Sequence, residues 1–339
     1  MIKVAAYTGF SHTPSARFRI WQYIDEIKNH GIMLNPIFAS VGRRPPQRKL
    51  ARPFWAVANI LENIPLALKS YNYNAVILQR EMLPTFSTVE FLTKKPRILD
   101  VDDAIFEFRG GQAAKKLASI SDCIMCGNQY LANWFSQYNK NIKIVPTAVD
   151  SNIFKPSVDL LNLDHQVICW VGSSSGFKYF KISGLEDALA VLFKRYSRLK
   201  LRVVADCAPT FNLPQERIEY IKWSPDVEVS VIQSATLGVM PLALDNFALG
   251  KCAFKMLTYM ACAKPVVVSP YGMNQDVLSK GDVGIGATNS LEWVDAISQI
   301  LDDDSLSIKF GENGREIILK EFSLNVVASN VASIIKNIV

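Results

Sequence analysis

The sequence predicts an α/β protein made of two Rossmann-like halves. Three observations predict it: the length, the alternation of short apolar runs with amphipathic stretches, and the restart of that alternation near Val167. At 339 residues the chain has material for two domains of roughly 150 residues each. Apolar residues make up 49% and charged residues 20%, a balance that supports two cores and excludes a disordered or fibrous chain.

In the first half, Lys3–Tyr7, Met33–Phe38, Ala75–Gln79, Arg97–Val101, Cys123–Cys126 and Lys143–Val145 read as strands. Ile20–Asn29 reads as a helix, with Ile20, Tyr23, Ile24 and Ile27 on one face. The second series runs Val167–Val171, Lys200–Ala205, Val227–Val229, Leu237–Met240 and Pro265–Val268. Leu185–Arg195 and Cys252–Met260 are its clearest helices, and Pro156–Asp164 is the expected linker. Ser323–Val339 is expected to form an amphipathic helix capped by Ser323, with Val326, Val327, Val331, Ile334 and Ile335 on one side. The expected organisation is a first domain over 1–160, a second over 161–322, and a helix over 323–339 that returns to the first.

No run approaches the roughly 20 apolar residues that span a bilayer, and Met1–Tyr7 is too short for a secretory signal. The expected location is the cytoplasm, with peripheral contact at the inner face of the membrane as the one extension. Six scattered cysteines fit buried thiols in a reducing compartment; Cys123-Ile-Met-Cys126 has half-zinc spacing but lacks a second ligand pair. Charge is uneven: residues 1–155 carry 20 Lys and Arg against 11 Asp and Glu, and the remainder 17 against 20. Much of the excess sits in Arg43–Trp55, where five cations precede Phe54 and Trp55, a pattern suited to an anionic membrane or a lipid diphosphate. No nucleic-acid motif accompanies the charge, so nucleic acid is not an expected partner.

Two loops suit an anionic ligand. In Gly238–Val268 a strand is followed by a loop with Asp245 and by a predicted helix start at Gly250-Lys251; Lys251 and Lys255, four apart, would share a helix face near its N-terminus. Trp170-Val-Gly-Ser-Ser-Ser-Gly-Phe-Lys178 runs a strand into a Gly/Ser loop, making Gly172, Ser173, Ser174 and Lys178 phosphate candidates. Trp223 by residue type is a core candidate. Asp100, Asp102 and Asp103 close the apolar run from Arg97; their types leave a metal site or a helix cap open.

Met260-Ala-Cys-Ala-Lys-Pro-Val-Val267 resembles the donor-binding region of family 4 glycosyltransferases, which have the GT-B fold. Many members precede it with two glutamates separated by seven residues; here Gly250 and Thr258 stand at those positions. Gly250-Lys-Cys-Ala-Phe-Lys255 resembles instead a branch reading Gly-Lys-Cys-Gly-Phe-Lys. Ser11–Arg19, Gln79-Arg80-Glu81, Cys126–Leu131 and Pro146–Asp150 also look like that branch, so the likeness touches both halves.

The resemblance implies two Rossmann-like domains facing a central cleft. It implies transfer of a sugar from a nucleoside diphosphate sugar to a glycan or glycolipid hydroxyl, with retention and with neither metal nor cofactor. Lys251 and Lys255 would hold the leaving diphosphate, Thr258 the ribose, and Asp245 the donor sugar, while Trp223 would wall a base pocket instead of filling the core. Asp102 and Asp103 would meet sugar hydroxyls or developing positive charge, and Arg17 and Arg19 an acceptor or donor phosphate. Surface polysaccharide or glycoconjugate synthesis is the expected setting. A nucleotide-sugar epimerase and a non-catalytic assembly partner are the rivals.

Overall fold

The computed structural model describes residues 1–11, 13–41, 45–157 and 166–339. Arg43, Arg44 and the expected linker from Val158 onward lie outside them. The chain divides into two compact units: one of Met1–Ala148, Gly250–Cys252 and Leu324–Val339, the other of Val149–Leu249 and Ala253–Ser323. Residues 149–157, expected with the first domain, thus group with the second unit.

The first unit is built on six parallel strands, β1 Ile2–Tyr7, β2 Ile32–Ile37, β3 Ala75–Gln79, β4 Arg97–Val101, β5 Cys123–Cys126 and β6 Ile142–Ile144, in the order β2-β1-β3-β4-β5-β6. Strands β3, β4 and β5 are buried along their whole length, as parallel strands covered on both faces must be. Val4, Ala6, Ile32, Leu34, Ile77, Ile98 and Met125 alternate onto one face. There Ile20, Tyr23 and Ile27 pack with Val327, Ala328, Val331 and Ile335 of the helix Leu324–Ile338. Ser323 does not cap that helix as expected; its hydroxyl donates backward to the Leu319 carbonyl at 3.0 Å.

The second unit repeats the plan with β7 Val167–Val171, β8 Lys200–Ala205, β9 Ile218–Lys222, β10 Leu237–Met240, β11 Val266–Val268 and β12 Gly284–Gly286, ordered β12-β11-β10-β7-β8-β9. Trp170, Leu201, Val203 and Val239 pack against the helices Leu185–Arg195 and Ser290–Asp302. The order in which strands are added reverses once in each sheet, beside β1 and beside β7, and ligands of open α/β sheets bind at the strand ends of such points.

Three local expectations are corrected. Val227–Val229 is helical, within Pro225–Gln233, because Ser224-Pro225-Asp226 is a helix start and the alternating valines lie on a turn, not a pleat. The helix expected over Ile20–Asn29 is two pieces, a π-helical turn Arg17–Trp21 and a helix Tyr23–Lys28. The helix expected from Cys252 begins at Phe254, after Ala253 takes a left-handed conformation at φ 50°. Ile335 is fully buried in the first unit's core. Ile335→Ala should therefore cost about 2–5 kcal/mol, read from urea unfolding followed by far-UV circular dichroism.

Candidate functional site

The carboxyl end of the first sheet gathers the polar groups of that unit. Arg19, on the π-helical turn, is buried beside Asp100 on β4. Its Nε donates to Asp100 Oδ2 at 3.1 Å, its Nη2 to Asp100 Oδ1, and its Nη1 to the Val145 carbonyl at 2.7 Å. Burial opposes this charge, but the Asp100 carboxylate outweighs it and holds Arg19 above its usual pKa. Arg19 is therefore a buried structural cation, not the solvent-facing phosphate ligand expected. Arg17 is half-buried and stacks on Phe18 at 4.7 Å.

Two residues on, the chain leaves β4 and presents Asp102 and Asp103. Asp102 accepts a hydrogen bond from the Ser15 hydroxyl through Oδ2, while its Oδ1 is buried with no partner among the described residues. Ser15 also receives Gln79 Nε2 at 3.3 Å, and Thr8 donates to the same glutamine, so β1, β3 and β4 are tied at their ends. Asp103 lies between two cations: Lys251 Nζ is 3.3 Å from Oδ1 and Arg80 Nη1 3.4 Å from Oδ2. Burial pushes the Asp103 carboxyl above its ordinary value of 3.8, and the charge of Asp102 adds to the rise; Lys251 and Arg80 pull against it without cancelling it.

Residues 250–252 complete this cluster. A Cβ at Gly250 would lie 2.6 Å from Ala104 Cβ and 2.8 Å from its backbone nitrogen, so only glycine lets the chain approach so closely. The Cys252 thiol donates to the Asp102 carbonyl at 3.2 Å, and burial followed by the Asp102 charge raises its pKa, keeping it neutral. Asn128 Nδ2 donates to the Lys251 carbonyl at 3.0 Å while its Oδ1 caps the helix Gln129–Phe135 through the Leu131 N–H. Lys251 is not on the helix that carries Lys255, so the expected shared face does not exist. Ser15, Arg80, Asn128 and Cys252 had no assigned role in the sequence reading, although each falls in a segment that carried the family likeness.

In the second unit the switch point lies beside Gly172. A Cβ there would lie 2.6 Å from Lys255 Cε and 2.8 Å from the Trp170 ring. Lys255 Nζ sits 5.0 Å from that ring's centroid, a cation–π contact at the mouth of β7. Lys178 is exposed, 4.9 Å from the Tyr179 ring, and Ser173 and Ser175 share a hydrogen bond at 2.7 Å. Ser174 differs from expectation: its N–H and hydroxyl both bind the Asp206 carboxylate, at 2.6 and 2.9 Å, so an anion of the chain itself already occupies that nest. Trp223 is half-buried beyond β9, and its N–H donates to the Ala205 carbonyl at 2.9 Å.

Two further expectations change. Thr258 is buried, and its hydroxyl donates at 2.8 Å to the Lys255 carbonyl of its own helix, which turns it from a ribose. Asp245 caps the short helix Asn246–Leu249, accepting the Ala248 N–H at 2.7 Å. A cavity of about 350 Å³ lies elsewhere, against β8 and β9; its Arg202 is already held by Glu219 at 2.9 Å and Ser234 at 2.6 Å. Among the described residues no three His, Cys, Asp or Glu side chains converge as metal ligands. Cys123 and Cys126, three apart on β5, point to opposite faces, and burial raises their pKa values to about 11 and about 12.

Residues 165–303 match the model of the family "Glycosyl transferases group 1". D-inositol 3-phosphate glycosyltransferases are curated relatives: that of Corynebacterium aurimucosum is 27% identical over 51% of this chain and 46% of its own length. That of Corynebacterium glutamicum is 24% identical over 57% of this chain and 51% of its own. The chain thus spans about half the length of the curated relatives it matches. Among solved structures, sucrose-phosphate synthase of Thermosynechococcus elongatus superposes with a TM-score of 0.71 at 15% identity, covering 99% of both chains. Anabaena HepE in complex with UDP gives 0.72 at 14% identity, covering 99% of this chain and 100% of the other. The fold is GT-B, two parallel α/β units of six strands each.

Two outcomes follow from this geometry. Gly250→Ala should lower stability by about 1–3 kcal/mol in thermal unfolding, since the backbone it would strike cannot yield cheaply. Because the Asp103 pKa is raised on folding, the folded state holds that proton more tightly. Stability is then fullest below about 3.8 and is lost as pH rises through the raised value. Asp103→Asn should flatten this loss, so that urea unfolding between pH 4 and 7 shows a smaller fall for the variant than for the parent.

Proposed function

We propose that this chain is a glycosyltransferase that moves a hexose-like unit from a nucleoside diphosphate sugar to a hydroxyl of a glycan or lipid-linked acceptor. The carrying observation is the family match over 165–303, which contains Gly172, the Gly/Ser loop, Lys255 and the Met260–Val267 segment. The donor is placed at the switch point beside β7. Gly172, Ser173 and Lys178 take its phosphates, Lys255 its leaving charge, and Trp223 its base. The chemistry breaks the bond from the anomeric carbon to the diphosphate and forms one to the acceptor oxygen, whose proton departs.

Retention and metal independence belong to this proposal. A cation then stabilises the departing diphosphate, and the second unit holds one beside its switch point, Lys255 next to Gly172. Asp102 supports the cluster on the first unit, with one buried oxygen turned to no described partner. Peripheral contact with a membrane through Arg43–Trp55 fits a lipid-linked acceptor and places the enzyme at the inner face of that membrane, in polysaccharide or glycoconjugate synthesis. The complex of the solved Anabaena protein makes UDP-sugars the first donors to try.

The test is a panel of nucleoside diphosphate sugars, read by thermal stabilisation and by slow donor hydrolysis. A true donor at about a hundred times its Kd should stabilise by about 2.7 kcal/mol. Lys255→Ala should lower turnover by about 100-fold or more while melting near the parent's temperature. Isomerisation of a donor with no acceptor would assign an epimerase, and absence of any nucleotide binding a non-catalytic assembly partner.

A further inference from the structure

The helix Arg52–Lys69 buries two asparagines and exposes four large apolar side chains. Its buried face carries Asn59, Asn63 and Ala67, with Asn63 Nδ2 donating to the Asn59 carbonyl at 2.9 Å and to its Oδ1 at 2.8 Å. Its outward face carries Phe54, Val57, Leu61 and Leu68, which are 79%, 56%, 62% and 52% exposed. These positions fall on one stripe at the helical period, and Leu50, 89% exposed, extends it by a turn. A helix that only packs on its own domain shows the opposite arrangement.

Charge at its borders indicates the partner. Arg48, Lys49 and Arg52 are exposed at one end of the stripe and Lys69 at the other. Residues 43–69 hold six Lys and Arg against one acid, Glu62. That carboxylate is engaged by the Ser40 and Val41 N–H groups, at 2.6 and 3.0 Å. We infer that this face docks on an anionic lipid surface. Phe54, Val57, Leu61 and Leu68 enter the boundary between headgroups and acyl chains while the flanking cations meet lipid phosphates. The inference extends the membrane contact proposed above to a defined helix face and does not depend on glycosyl transfer.

The test is cosedimentation of the full chain with vesicles of phosphatidylcholine, alone or mixed with phosphatidylglycerol, at low and high salt. The expected result is binding to the anionic vesicles that weakens with salt. Phe54→Ser with Leu61→Ser should weaken it by about tenfold or more, with melting unchanged because both side chains are exposed. Arg48→Gln with Lys49→Gln should weaken binding to anionic vesicles and reduce its salt dependence. Binding to neither vesicle, or binding indifferent to the double serine variant, overturns the inference. So does a concentration-dependent dimer in light scattering that the serine variant abolishes, which assigns the face to a second copy. Because this readout uses no donor and no turnover, its failure leaves the transferase reading standing, and the reverse holds.

Discussion

The buried pair of Arg19 and Asp100 sets the geometry of the first unit's strand ends. Taking two charges out of water is costly, and such a pair persists only where its remaining donors are also met. Here the guanidinium spends Nε and Nη2 on the carboxylate and Nη1 on the Val145 carbonyl, so β4 and the segment after β6 are bonded to one side chain. Removing one partner from a pair this deep costs about 3–5 kcal/mol, since the survivor is left charged and alone. The π-helical turn that carries Arg19 is buried at Phe18, Arg19 and Ile20 in succession.

From that anchor the carboxylates are layered outward. Asp100 is neutralised within the sheet, Asp102 is tied to Ser15, and Asp103 is shared between Lys251 and Arg80. Three carboxylates within four residues thus meet three different environments, and only the outermost is poised between cations that a ligand can compete for. The second unit uses a different device at its own switch point. There a glycine admits a lysine stem against a tryptophan face, while an acid of the next strand end fills part of the loop. An anion at that loop would have to contend with the Asp206 carboxylate, which repels it while the neighbouring cations attract.

Much of this fold was legible in the sequence because parallel strands buried on both faces are continuous apolar runs. Ala75–Gln79, Arg97–Val101, Cys123–Cys126, Val167–Val171, Lys200–Ala205 and Leu237–Met240 are strands with the bounds expected. The two edge strands of the second sheet were not legible. Ile218–Lys222 alternates polar and apolar residues, and Gly284–Gly286 carries almost no side chain, so neither has the signature of a core strand. At the sites, residue types pointed to the right segments, but side-chain direction was beyond their reach. Arg17 and Arg19 look equivalent in sequence, yet only Arg19 turns inward. Lys251 and Lys255 have helical spacing, yet a left-handed residue at Ala253 separates them. Thr258 stands where the family carries a glutamate, and its short side chain reaches only its own helix.

The placement of Leu324–Ile338 in the first unit bears on the order in which the protein matures at the ribosome. Synthesis delivers residues 1–148 first, but Val327, Val331 and Ile335 belong to the core those residues must close. All of 149–323 emerges in between. The second unit, apart from the short insert 250–252, is continuous in the chain, and until it has been made the first exposes the face that this helix covers. For that interval the nascent chain carries an apolar surface open to chaperones or to misassociation, and its duration is set by the translation time of an entire domain.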